Sequence, residues 1–307
     1  DYKVLVKNLY ANAQSVQVYG GEDAATPDYG KVYISIKAKS GSNLTEVTKA
    51  SLVASLKSYA VASITPVIID PETTFITLTT TFKYDSSLTT KDVSTLQANV
   101  LDAVSFYNTD TLENFTGMFR YSKVLETIDG ADTSILSNIT KVKMYKYITA
   151  TLNSGLKYVL SFNNAFFNPH SGHNSTAGGI VTSTGFKIIN DDSTNEHFLD
   201  DNGAGVIRVY YLNGTTRIYT DSTYGTINYT TGEIILTSAT ITSISNVDGA
   251  ASTQIRVTVQ PDSNDIVPVR NQVLSIEVAN STITGSVDTI ESGSSQAGTS
   301  YTTTSSY

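Results

Sequence analysis

Apolar and polar positions alternate most clearly between residues 19 and 84, where the pattern predicts a strand, a helix and two further strands. Residues 31–39 place every second side chain on an apolar face, which is typical of a half-buried strand. Asn43 stands three residues before Glu46, a spacing that resembles a capping box and predicts the start of a helix. The apolar stripe of that helix recurs at three- and four-residue spacing, at Leu52, Leu56 and Tyr59.

The same strand and helix patterns continue through the first half of the chain. Two strands are predicted at residues 67–69 and 75–84, then helices at 93–107 and 117–128, and a further strand at 141–148. This order matches the ferredoxin-like split β-α-β plan, in which two helices cover one face of an antiparallel sheet. One core is therefore expected from these elements: Val32, Ile34, Ile36, Leu52, Leu56, Ile76, Leu78, Phe82, Leu96, Val100 and Val104.

The second face of this predicted sheet has no helix to cover it. It carries polar and aromatic side chains, namely Tyr33, Thr77, Thr79, Thr81, Lys143 and Tyr145. Antiparallel sheets commonly expose one face to water, so a solvated surface is the first interpretation. The alternative is a face that receives a partner, and Tyr33 and Tyr145 are then its candidate interface residues.

The chain divides into four segments by composition. Residues 1–21 alternate and are interpreted as strands that complete a preceding unit, and residues 22–150 form the ferredoxin-like α+β domain. Residues 151–280 consist of short alternating runs separated by turn pairs such as Asn213-Gly214, which predict an all-β domain, either a sandwich or a partly closed barrel. Residues 281–307 form a Ser/Thr-rich tail with too few apolar side chains to offset its chain entropy. We expect this tail to be flexible, or to be an arm ordered only against a neighbouring subunit.

Composition narrows the function classes. The 307 residues carry 28 Asp and Glu against 20 Lys and Arg, a formal net charge of -8, whereas nucleic-acid binding needs clustered basic residues. No apolar run has the length of a membrane span, so neither nucleic acid nor membrane is an expected partner. Cysteine is absent, which rules out disulfides and thiolate metal sites. Because the sequence opens at Asp1 rather than methionine, we interpret it as a fragment or processed product of a longer protein.

Few side chains offer catalytic or metal-binding chemistry. His170, His173 and His197 supply three imidazoles for zinc, but the first two lie in a Gly- and Asn-rich loop, and ordinary loop histidines are the favoured interpretation. Residues 200–205 group carboxylate and amide oxygens around glycine, as a calcium loop does. The distal bidentate glutamate is missing, and a hairpin turn explains the same residues. We therefore predict no catalytic residue, no cofactor and no metal site, in a protein that is not an enzyme.

Three phenylalanines stand close together before Asn168-Pro169, in what should be a long loop: Phe162, Phe166 and Phe167. Exposing three such side chains on one loop is costly unless they are covered. They are therefore either the plug of the β-domain core or an anchor in a subunit interface.

Two groups of motifs occur together and in order. Between residues 18 and 84 stand YGGED, P-x-YGKVYISIK and the turn Y-x-V-x-x-I-x-P-x-I-x-DP, and between residues 199 and 236 stand LDDNGAGVIRVYY and YGTINYTTGEIIL. In these stretches the chain resembles the baseplate wedge subunit of T-even-type contractile-tail phages, and it resembles the C-terminal part of that inner-ring component. The amino-terminal half of the family's subunit has no counterpart in this sequence, and the Ser/Thr-rich tail departs from the family core.

The resemblance implies a virion structural protein of the phage tail baseplate, assembled in the host cytoplasm. Such a subunit joins neighbouring wedges into the ring around the tail hub, so a homodimer and contacts with other baseplate wedge proteins are expected. The rival function is a carbohydrate-binding or adhesin-type β-module, because Tyr- and Asn-rich β-domains bind sugars by aromatic stacking and amide hydrogen bonds. A glycosidase is the third possibility, and it requires two carboxylates facing each other across a cleft.

Overall fold

The computed structural model describes residues 2–24, 26–40, 43–59, 64–173, 178–189, 191, 195–247 and 249–289. Within these ranges the strands form three sheets, and four α-helices of eight or more residues pack beside them. The predicted α+β class is confirmed by this mixture. No helix in the described part of the chain is long and apolar enough to cross a membrane.

The first sheet is small and is built from the amino-terminal residues. Its elements are α1 (Tyr2–Leu9), β1 (Ala13–Gly20), β2 (Lys31–Ala38), α2 (Glu46–Lys57) and β3 (Thr65–Ile69). The strand order is β1-β2-β3, with β1 antiparallel and β3 parallel to the central strand. A parallel pair needs a crossover connection, and α2 provides it between β2 and β3.

Two local predictions for this region are wrong. Residues 2–7 alternate in sequence but belong to α1, where Val6 is fully buried and Val4 points to solvent with 59% exposure. An alternation over only six residues fits a helix as well as a strand, because residues four positions apart share a face in both structures. The N-cap of α2 is Thr45 rather than Asn43, since the Thr45 hydroxyl oxygen accepts from the backbone N–H of Thr48.

The second sheet is organised around two long antiparallel strands, β4 (Glu72–Tyr84) and β5 (Ile135–Thr149). Between them in sequence lie α3 (Val93–Tyr107), which Asp92 caps, and α4 (Tyr121–Asp129). The remaining strands come from the later part of the chain: β7 (Thr182–Ser183), β13 (Gln254–Val259), β14 (Gln272–Ile276) and β15 (Thr282–Val287). β14 and β15 pair in parallel along one edge of β4, and β13 pairs with the free edge of β5.

The third sheet closes on itself. Its strands are β6 (Gly155–Ser161), β8 (Phe186–Ile188), β9 (His197–Asp201), β10 (Val206–Asn213), β11 (Thr216–Asn228) and β12 (Glu233–Ile244). The order runs from β11 through β10, β9 and β8 to β12, and β12 pairs again with β11, which makes a five-stranded barrel with β6 on its side. The predicted barrel is therefore confirmed for these strands, although β13 and β14 belong to the second sheet.

The buried apolar residues form two cores rather than the predicted single one. Ile34, Leu52 and Leu56 belong to a cluster confined to the first sheet and its helices. Ile76 and Val100 belong to a larger cluster that runs from α3 and α4 through the second sheet into the barrel. The predicted boundary near residue 150 does not separate two cores, because the larger cluster includes side chains from both sides of it.

The ferredoxin-like sheet is not confirmed. It would join β2 and β3 to β4 and β5, but these two pairs lie in different sheets. The physical reason is competition for strand edges. The edges of β4 and β5 that β2 and β3 would need are occupied by β13, β14 and β15, which come from more than a hundred residues further along the chain.

The expected tail begins with an ordered strand. β15 pairs with β4 over six residues, and the side-chain amide of Gln97 on α3 donates to the carbonyl oxygen of Ile283. The segment from 282 to 287 is therefore part of the chain's own sheet, contrary to the prediction of a flexible tail. Residues 290–307, to which the rest of that prediction applies, lie outside the described residues.

Candidate interaction surface

The three phenylalanines expected in a loop do not form one surface. Phe162 and Phe166 are buried, with exposures of 0% and 2%, and their rings meet edge to face at 5.3 Å between centroids. Of the two alternatives for this pair, the core plug agrees with the structure, and neither ring has surface left for a partner. Phe167 is half-buried, and its ring edge contacts His173 at 5.8 Å.

The two tyrosines expected on an open sheet face lie in different sheets. Tyr145 on β5 is fully buried and stacks on Phe75 at 5.0 Å, so its assignment as an interface residue is wrong. Its face is covered because β13, absent from the predicted sheet, brings Arg256 to 5.6 Å from the Tyr145 ring. Tyr33 on β2 is half-buried, stacks on Tyr19 at 5.6 Å and donates a hydrogen bond to Asp28.

The threonine-rich part of the predicted open face does exist. Thr79, Thr81 and Lys143 are exposed on β4 and β5, while Thr77 is half-buried. β15 widens this face, because Thr284 lies beside Thr81 with the two hydroxyl oxygens 3.1 Å apart. The same face also carries Ile139, which is 70% exposed opposite Thr81, and the packed rings of Phe75, Tyr145 and Tyr147.

The three histidines do not form one cluster, because His197 lies apart from the other two. His173 Nδ1 lies 3.1 Å from His170 Nε2, and both side chains are exposed. His197 is buried at the start of β9, where its Nε2 is 2.7 Å from Asp191 Oδ2, and burial lowers the pKa of its imidazole. In the residues that the structure describes, no three His, Asp or Glu side chains are grouped to hold a metal ion.

The predicted hairpin at residues 200–205 is confirmed, because β9 and β10 pair antiparallel on either side of it. Asp201 is fully buried, and its carboxylate accepts from the backbone N–H groups of Ile180 and Val181 and from the Tyr229 hydroxyl. Burial and this hydrogen bond raise the pKa of Tyr229. The carboxylate therefore fastens the 178–181 loop to the barrel, and its oxygen atoms are occupied by N–H and O–H donors rather than free for calcium.

Asp200 organises a second group of side chains on the outer face of the barrel. Its exposure is only 1%, and its Oδ1 accepts from Arg208 Nε at 2.9 Å. Its Oδ2 accepts from Arg217 and from the Tyr219 hydroxyl, both at 2.8 Å. The guanidinium of Arg208 lies 4.3 Å from the centre of the Tyr219 ring, and that of Arg217 lies 4.6 Å from the Tyr210 ring. We call this group, together with Leu212, the arginine face.

Sequence reasoning missed the arginine face. Arg208, Tyr210 and Leu212 recur at every second position of β10, and Arg217 and Tyr219 do the same on β11. This period places the five side chains on one side of a hairpin. It is the signal by which the sequence could have indicated the arginine face. What the sequence does not show is that Asp200, from the neighbouring strand, lies beneath both guanidinium groups.

A cleft of about 740 Å³ lies where the first sheet, β4, β5 and β6 meet. Its charged lining residues pair across it: Lys37 is 3.7 Å from Glu113, and Lys146 is 3.1 Å from Glu72. Lys146 also donates to the carbonyl oxygen of Ser161 at 2.7 Å. Since each cation already has a carboxylate partner, the cleft offers no excess charge with which to select a ligand.

Comparison with known proteins finds two family models that match the first half of the chain. The family described as "Baseplate structural protein gp6, C-terminal domain I" matches residues 1–69, and "Baseplate structural protein gp6, C-terminal domain III" matches residues 72–147. The junction between the two matches coincides with the break between the two cores. The first half of the chain is thus similar to this family, and the similarity supports the C-terminal part of a baseplate wedge subunit, a structural protein of the phage virion baseplate.

A particular relative is the baseplate wedge protein gp6 of Enterobacteria phage T4. It is 30% identical to this chain over 162 residues, which are 52% of this chain and 24% of the relative. The chain thus matches about a quarter of the length of that curated relative, and what the whole relative assembles with belongs to the proposal below.

Proposed function

We propose that this chain joins neighbouring wedges into the ring around the tail hub, as a non-enzymatic subunit that works through self-association. The observation that carries the proposal is the match of residues 1–69 and 72–147 to two C-terminal domains, I and III, of a baseplate structural protein. The partners are a second copy of the chain, paired as a homodimer, and other baseplate wedge proteins. The formal net charge of -8 supports protein partners rather than nucleic acid.

Among the residues expected at an interface, two keep accessible surface. Phe167 lies beside His173 in the loop next to the barrel, and Tyr33 lies on the first sheet. We propose the region after residue 149 as the main contact, because the barrel and its loops carry most of the partly exposed aromatic and arginine side chains described above. A specific contact of this kind buries more than roughly 1,000 Å² in total.

No observation favours the sugar-binding alternative. Sugar stacking needs an aromatic ring with a free face beside polar groups. In the described residues the exposed aromatic side chains are Tyr29, Tyr59, Phe106 and Tyr219. Of these, only Tyr219 lies on the barrel, and one face of its ring is already covered by Arg208.

Light scattering on a size-exclusion column tests the proposal. The isolated chain has a mass of 33.0 kDa, so a homodimer is expected near twice that value at micromolar to tens-of-micromolar concentration. The same chain should bind purified wedge proteins of the same phage in a pull-down. A particle that stays at the monomer mass at the highest soluble concentration, and that binds none of those proteins, contradicts the proposal.

A further inference from the structure

The arginine face is cationic at its surface although its carboxylate is buried. Asp200 is 1% exposed, whereas the side chain of Arg217 is 32% exposed. The second nearby carboxylate, Asp201, is fully buried and accepts from backbone N–H groups and Tyr229. Arg217 donates only one of its five N–H groups to Asp200, so other edges of its guanidinium remain available for a planar anion.

The face is also held rigid. The Arg217 guanidinium lies between the Tyr210 ring and the backbone of Gly178, where a Cβ atom would collide with the guanidinium. Gly178 has a φ of +78°, a conformation that favours glycine, so the close approach is built into the loop. A side chain held in place before binding loses little conformational entropy on binding. Tyr and Arg are also the residue types that dominate binding energy at protein interfaces.

Leu212 completes the face with apolar surface. It is 50% exposed and lies directly across the hairpin from Arg217, and Tyr219 beside it is 37% exposed. An exposed leucine and tyrosine next to a fixed guanidinium fit a partner that presents an apolar side chain flanked by carboxylates.

This chain carries such a surface on α3 and the π-helical turn Asn108–Leu112 that follows it. Phe106 is 71% exposed, with Asp102 four residues before it and Asp110 four residues after it. Both aspartates are exposed, and neither forms an ion pair within the described chain. Carboxylates near the carboxyl end of a helix are disfavoured by the helix dipole, and α3 has no basic residue in its last turn to compensate. We call Asp102, Phe106 and Asp110 the acidic stripe.

We propose that the arginine face of one copy binds the acidic stripe of a second copy. The two surfaces carry opposite charges, each has an exposed apolar side chain, and they lie on different parts of the chain. When two copies pair about a two-fold axis, each presents its arginine face to the acidic stripe of the other, so the contact is made twice and closes a homodimer. The inference rests on the proposed function, because it names the surfaces through which two copies would pair.

The test is a charge exchange between two variants, measured by sedimentation velocity. Leu212→Glu places a carboxylate across the hairpin from Arg217, where it competes with the partner's carboxylates and leaves Asp200 untouched. Asp102→Lys combined with Asp110→Lys reverses the stripe. Each variant should weaken self-association at least about ten-fold, because like charges then face each other or the arginine is already paired.

An equimolar mixture of the two variants should recover association to within about three-fold of the parent, since every contact in the mixed assembly again joins opposite charges.

Two matched controls should associate like the parent. Arg270→Gln removes a guanidinium that stacks on Tyr19 at 5.1 Å on another part of the chain. Asp262→Lys reverses an exposed aspartate outside the stripe. Raising the salt concentration should weaken self-association of the parent, and it should weaken self-association of the Leu212→Glu variant less.

A second measurement identifies the contact directly. The chain has no cysteine, so Leu212→Cys introduces a single thiol for a photo-crosslinker. Crosslinks should join position 212 to peptides of α3 from another copy. If the parent associates while both charge variants associate equally well, or if the mixture shows no recovery, the inference is wrong and the proposed self-association stands. If the parent itself stays monomeric, both are overturned.

Discussion

The side-chain oxygen of Asn108 accepts a hydrogen bond of 2.6 Å from the backbone N–H of Ile276, 168 residues further along the chain. Asn108 opens the π-helical turn after α3, and Ile276 ends β14. The amide nitrogen of Asn108 lies 3.3 Å from Glu113 Oε1 and 3.4 Å from Ser275 Oγ. One buried side chain thus connects the amino-terminal half of the chain to the strand that covers the edge of β4.

Asn108→Ala should destabilise the protein by about 1–3 kcal/mol, because the buried N–H of Ile276 loses its acceptor. Urea unfolding followed by circular dichroism measures the difference. Asn43→Ala is the matched control, since Asn43 is exposed and its loss should change the unfolding free energy by less than about 0.5 kcal/mol. Equal stability of the two variants would mean that the Asn108 contact is not formed in solution.

Leu56→Ala and Val100→Ala should each cost about 2–4 kcal/mol, because both side chains are fully buried. Leu56 and Val100 belong to different cores, so the double variant should lose the sum of the two values within about 0.5 kcal/mol. Val47→Ala on α2, where Val47 is 80% exposed, serves as the control. A strong departure from additivity would show that the two sites interact, through shared contacts or a backbone shift.

Asp132 should stabilise the protein at neutral pH and lose this effect in acid. Hydrogen bonds from Lys91 and from the backbone N–H and hydroxyl of Ser134 lower the pKa of Asp132 to about 2. A carboxyl whose pKa is lowered by folding contributes stability above its unfolded pKa, and the contribution disappears as the pH falls through the folded pKa. Asp132→Asn should therefore be less stable than the parent at pH 7, by about 1 kcal/mol after allowance for solvent screening. The difference should shrink between about pH 5 and pH 2, and a difference independent of pH would contradict the assignment.

Zinc, calcium and chelators should leave the melting temperature unchanged. The loop histidines offer two nitrogens with no third ligand from the described residues, and the oxygens of Asp200 and Asp201 already accept from arginine, tyrosine and backbone donors. Differential scanning fluorimetry with each ion and with EDTA checks this expectation. A ligand that binds only the folded state must raise its stability, so a shift of several degrees with one ion would reveal a site.

Local patterns in the sequence were reliable where the pattern was long. The helix over α3 and the hairpin between β9 and β10 form as predicted, because a stripe of four turns or an Asn-Gly turn leaves few alternatives. The short alternation before β1 predicts a strand but belongs to α1, since a few residues fit the period of a strand and that of a helix. In the candidate interaction surface, the spacing of Phe162 and Phe166 does not show that both rings are buried in the larger core.

The sequence by itself determined the class of protein, most of the strands and helices, and the absence of thiol chemistry, because these depend on residues close together in the chain. Only the tertiary structure decided which strands pair. The edge of β4 is filled by β14 and β15, and Asp200 lies under Arg208 and Arg217 through pairing across three strands. Strand edges present the same backbone donors and acceptors whatever their sequence. The partner is therefore selected by which arrangement buries the most apolar surface and satisfies the buried polar groups over the whole chain.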